Sequence, residues 1–127
     1  LPARHGASDS PHGGVSSGKN PCVGRAVDRH VRKNGVTTVK DLVGHGVGRA
    51  VHEDPRVPNY VDEQLEPVRL AIGMVLAIEP MVNAGEEEVR MLEDGWTIVT
   101  SDGSRSAHFE VTLAVLDGGC EILTPLP

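Results

Sequence analysis

Apolar positions change period near residue 35. Before it, Val23, Ala26, Val27 and Val31 recur at three- and four-residue steps, the spacing that lines one face of a helix. This predicts a helix over 21–34. Asn20 precedes it as a cap, Pro21 suits the first turn, and Arg32 and Lys33 suit the last, where cations meet the negative end of the helix dipole. Gly35 marks the stop. Beyond it the apolar runs shorten and become β-branched. "VTTVKDL" at 36–42 is strand-prone, and the glycine-rich stretch after it reads as strand and loop. "GMVLAIEPMV" at 73–82 reads as a buried strand. "EEVRML" at 87–92, "WTIVT" at 96–100 and "SAHFEVTLAVL" at 106–116 continue the strand pattern. "DGG" at 117–119 is a hairpin signal before "CEIL". Pro55, Pro58 and Pro67 predict irregular chain over 53–68. One helix ahead of a mostly antiparallel sheet is an α+β fold. Residues 1–20 are rich in Gly, Ser, Pro and His without an apolar period, and read as a flexible arm.

Composition narrows the function classes. A chain of 127 residues fits one domain. Its only aromatic residues are Tyr60, Trp96 and Phe109, so the core is aliphatic. A net charge of −6 without a basic cluster argues against a nucleic-acid partner, which requires a positive face. No apolar run approaches the ~20 residues of a membrane span. Cys22 and Cys120 lie far apart and form no CxxC, which points to a reducing, cytoplasmic compartment.

The candidate chemistry lies in a few polar residues set in apolar surroundings. Glu79 sits inside "VLAIEPMV", where a carboxylate is costly unless it is paired or bound to a cation. Pro80 after it removes a ladder donor and fits an edge or a bulge. Glu110 lies between Phe109 and Val111, and strand alternation puts it on the face of His108 and Thr112. Both glutamates have two readings, solvent-facing or ligand. "GHGVGRAVHEDP" at 44–55 carries His45 and His52 with three glycines around the first. Glycines so placed suggest close backbone approach. One imidazole with two carboxylates suits divalent Mn, Fe, Co or Zn, although no HEXXH is present. His5, His12, His30 and His108 have no metal spacing and read as surface residues. "GHGVG" lacks the Lys-Ser/Thr of a phosphate loop, and "EEE" at 86–88 reads as a solvated turn.

"GHGVGRAVHEDP", "IEPMVNAG", "DGWTIVTSDGSRSAHFEVT" and "GCEILT", in this order, resemble the C-terminal half of type I methionine aminopeptidases, which are pita-bread metallopeptidases. The resemblance implies half of a pita-bread fold over residues 21–127, behind a non-homologous arm over 1–20. It implies a two-metal hydrolase that removes the initiator methionine from nascent chains, present here as a truncated C-terminal half that pairs with an N-terminal half. His45 resembles an imidazole ligand, Glu79 a ligand and general base, and Glu110 the carboxylate bridging both ions. His52 is similar to the histidine that contacts the scissile amide, and Trp96 to the tryptophan lining the methionine pocket. The family takes two aspartates and a further histidine from its N-terminal half, and no segment here resembles them. The alternatives are a non-catalytic half-domain that binds metal or a partner, and an Xaa-Pro-type peptidase, whose family shares the "GHGVG…HE" element.

Overall fold

The computed structural model describes residues 18–124. Helix α1 (Asn20–Lys33) forms where the 3.6-residue period places it, with Pro21 in its first turn and His30, Arg32 and Lys33 in its last. Its C-terminal carbonyls are closed by Gly35 N–H donating to Arg32 O at 3.1 Å and Val36 N–H to Val31 O at 3.4 Å, the reciprocal pair of a Schellman ending. Asn20 does not cap. Lys19 holds the cap position, and the fully buried Asn20 side chain donates to Arg56 O and accepts from Val68 N–H, both at 2.8 Å. Buried backbone groups of the 53–68 connection need partners, and Asn20 supplies two. The arm expected over 1–20 lies outside the described residues except for its last three.

The remaining elements are β1 (Thr37–Thr38), β2 (Gly44–Gly46), β3 (Glu53–Val57), β4 (Val75–Ile78), β5 (Met81–Asn83), β6 (Val89–Met91), β7 (Ile98–Thr100), β8 (Ser106–His108), β9 (Val111–Leu116) and β10 (Gly119–Ile122). They form an antiparallel five-stranded sheet in the order β10-β9-β4-β2-β3, a three-stranded sheet β1-β5-β8, and the ribbon β6-β7. The core is small and aliphatic. Val57, Leu70, Leu76 and Val115 are buried, with Val23, Met74, Ile78 and Leu113 packed against them. Cys22 and Cys120 are both free.

Three expectations are corrected. Residues 53–57 are not irregular but form β3. Pro55 is accommodated because β3 is the sheet edge and its pairing with β2 shifts register between Gly44 and Gly46. The run 73–82 is two strands, broken at Glu79-Pro80, and the run 106–116 is two strands, broken at Phe109-Glu110. Both breaks have one cause. β4 pairs with β9 up to Ile78↔Val111, and β5 pairs with β8 from Met81↔His108. The register is unchanged across the gap, so Glu79 stands opposite Glu110 and Pro80 opposite Phe109. Pro80 has no N–H to give the ladder; its carbonyl accepts Phe109 N–H at 3.2 Å. At this point the ribbon leaves the five-stranded sheet and enters the three-stranded one.

Candidate metal centre

His45 sits at the middle of β2, between β3 and β4. The glycines on either side are required by backbone proximity. A Cβ on Gly44 would press on the Ala77 carbonyl of β4, and one on Gly46 on the Asp54 carbonyl of β3. His45 pairs with Ala77, so Glu79 is its diagonal neighbour on the same face, within reach of long side chains. His45 Nε2 lies 3.2 Å from Glu79 Oε1. Nδ1–H of His45 donates to Gly46 O at 2.8 Å, which in the neutral ring leaves the Nε2 lone pair aimed at the carboxylate, as a metal-ligating imidazole requires. His52 is exposed on the β2–β3 loop, its ring centred 4.2 Å from that of His45 and tilted by 50°.

Glu79 and Glu110 face each other across the bent ribbon. Like charges directly opposite on neighbouring strands repel, and the Glu79 side chain is only 14% exposed, so water screens it poorly. Among the described residues, the Lys and Arg ion pairs lie elsewhere, at Asp28–Arg32 and Lys40–Glu87. Histidines surround Glu79 instead: His45 at Oε1 and His108 Nε2 at 3.4 Å from Oε2. One ligand atom each from Glu79, His108 and Glu110 lie within 4.8 Å of one another. Two opposed carboxylates flanked by imidazoles are a donor set that a divalent cation satisfies.

The structure thus brings His45, His52, Glu79 and Glu110 into one neighbourhood. Trp96 stands on the β6–β7 turn and is 87% exposed. Asp94 shapes that turn by accepting from the N–H groups of Trp96 and Thr97 and from the Thr97 hydroxyl. These bonds hold the Asp94 carboxyl below the ordinary carboxylate range, the hydroxyl bond contributing most.

Two residues were missed by sequence reasoning. His108, read as a surface residue, is half exposed but touches Glu79. It stands two positions before Glu110 in a strand-like run, and that period-two spacing was a usable signal. Fully buried Asn59 donates Nδ2–H to the Glu79 carbonyl at 3.2 Å, pinning the backbone where the ribbon changes sheets. Nothing in its loop sequence marks this role.

The model of metallopeptidase family M24 matches residues 16–117. The chain is 54% identical over 102 residues to a methionine aminopeptidase of Clostridium perfringens, covering 80% of this chain and 41% of that protein. Among solved structures, methionine aminopeptidase from Thermotoga maritima superposes with a TM-score of 0.81 at 47% identity, covering 87% of this chain and 45% of that one. An X-Pro aminopeptidase from the same organism has a TM-score of 0.57 at 22% identity, covering 88% of this chain and 26% of that one, a likeness of fold alone. The chain therefore spans about two fifths of the length of the curated relatives it matches, and its α+β architecture is part of a pita-bread fold. Motif order, strand register and the opposed carboxylates lead to one assignment: this chain belongs to metallopeptidase family M24.

Proposed function

We propose that residues 21–127 form the C-terminal half of a metalloaminopeptidase that removes the initiator methionine from nascent polypeptides in the cytoplasm. The observation that carries this reading is Glu79 opposite Glu110, with His45 diagonal to Glu79, inside a segment similar to methionine aminopeptidases. His45, Glu79 and Glu110 would hold the divalent ions, two in the complete site and drawn from Co, Mn, Fe or Zn. Bound there, such ions would supply an acidified water and polarise the scissile carbonyl. Glu79 would serve as the acceptor for the proton of the attacking water. His52, beside His45, donates to the substrate amide oxygen as negative charge grows on it. Trp96 forms one wall of the methionine side-chain pocket.

The relatives are more than twice as long as the matched segment, so the remaining ligands belong to the other half of the site. A second reading, a non-catalytic half-domain that binds metal or a partner, is favoured by that same coverage. The two differ in one assay. The purified chain is mixed with a soluble, folded N-terminal half of a methionine aminopeptidase and given a Met-Ala-Ser peptide. Release of methionine that requires both halves and added metal supports the enzyme. Metal binding without any turnover in the mixture supports the binding module.

A further inference from the structure

We propose that His108 is itself a metal ligand, and that with Glu79 and Glu110 it lets this chain hold one divalent ion without ligands from elsewhere. The proposal rests on the metal-centre reading above and adds to it a donor that the reading does not use. Strand register carries it. Met81↔His108 and Ile78↔Val111 belong to one unbroken register, so His108 is diagonal to Glu79 on one side as His45 is on the other. Residues 45, 79, 108 and 110 share one face of the ribbon by strict alternation. The distances agree. His108 Nε2 is 3.4 Å from Glu79 Oε2, and one donor atom each of Glu79, His108 and Glu110 fall within 4.8 Å of one another. Ligands about 2.0–2.2 Å from a common ion lie at comparable mutual distances.

Charge and chemistry point the same way. Glu79 and Glu110 oppose each other with their basic neighbours being imidazoles, and no Lys or Arg ion pair reaches them among the described residues. A cation between Glu79, Glu110 and His108 removes the carboxylate repulsion. An imidazole with two carboxylates is softer than an all-oxygen set, so the site favours Co or Zn over Mn or Mg. His108 is 47% exposed, so its replacement removes a donor without opening the core.

The test uses the full 127-residue chain and the metal alone. Calorimetric titration with Co(II) is expected to show one ion per chain. His108→Gln is expected to weaken binding about tenfold or more, the scale seen when a supporting group of a metal site is removed, and to shift the visible Co(II) absorption. Circular dichroism checks that the variant is folded. An independent readout needs no variant: on Zn(II) addition, the ring-nitrogen NMR signals of His108 move. The proposal is overturned if His108→Gln binds Co(II) with unchanged affinity and spectrum while His45→Ala and Glu110→Gln lose it; the metal-centre reading survives that outcome. If folded wild-type chain takes up no Co(II), the self-sufficient site is overturned. If His108→Gln and Glu110→Gln abolish binding and His45→Ala leaves it intact, the proposal stands and the ligand set of the preceding section fails instead.

Discussion

Glu79 is the residue on which packing, charge and chemistry converge. Its backbone carbonyl is held by Asn59, its two oxygens face His45 and His108, and Glu110 stands opposite. Glu79→Gln preserves volume and hydrogen bonding but removes the carboxylate proposed as the base. In the complete enzyme, turnover is expected to fall about a hundredfold or more with folding unchanged, the scale of lost acid–base catalysis; peptide-release kinetics check this. Asp102 offers a prediction in pH. N–H groups of Glu86 and Ser104 donate to its carboxylate at 2.9 and 2.8 Å, and these bonds lower it from the ordinary value to about 2. A depressed carboxylate stabilises the fold above its unfolded value of about 4, and that contribution is lost as pH falls through the folded value. An NMR titration is expected to place the Asp102 midpoint near 2. Asp102→Asn is expected to weaken the link between the 84–88 and 101–104 turns at neutral pH. A midpoint near 4 would show that the turns are not joined in solution.

Strand β2 is short, but its two glycines decide whether His45 reaches the site. A methyl group at Gly44 would meet the Ala77 carbonyl, which belongs to the sheet ladder and cannot yield without moving β4. Gly44→Ala is therefore expected to cost about 1–3 kcal/mol, the range for overpacking, and to weaken metal binding because His45 is displaced. Urea unfolding and calorimetry on the same variant check both effects. Element boundaries were partly legible in the sequence. The helix was, because 3.6-residue periodicity, Pro21 and the basic last turn all agree. The breaks at Glu79-Pro80 and Phe109-Glu110 were not. Each run is continuously apolar or alternating, and nothing local says that two strands change sheets together.

Among the described residues few large side chains are buried, and Phe109, Ile72 and Trp96 remain largely exposed. With so small a core, each member matters. Leu76→Ala removes a fully buried side chain and is expected to cost about 3 kcal/mol, within the range for buried leucines; denaturant unfolding measures it. On the proposed function the site is partial as well. The chain spans about two fifths of its curated relative, and a two-metal hydrolase needs both ions to activate water and polarise the carbonyl. The chain alone is therefore expected to release methionine from Met-Ala-Ser peptides at background rate, and an added N-terminal half is expected to raise it. Sustained turnover by the isolated chain, free of contaminating enzyme, contradicts this.

What the sequence by itself determined is whatever is local or carried by motif. The helix and its ending, the aliphatic core, the acidic surface and the carboxylates set among apolar residues belong to this class. So does the family, because several motifs stand in order. Tertiary structure decided which of those groups meet. His45 and His108 are far apart in the chain, and the same sequence spacing would have left His108 on open surface had β8 paired one residue out of register. A shift of one residue turns every side chain to the opposite face. That register is set by long-range pairing of β4 with β9 and of β5 with β8, which no window along the sequence contains. Asn20 and Asn59 illustrate the same limit. Each is an ordinary polar residue in its local context, and only the buried carbonyls brought beside it by the fold give it a task.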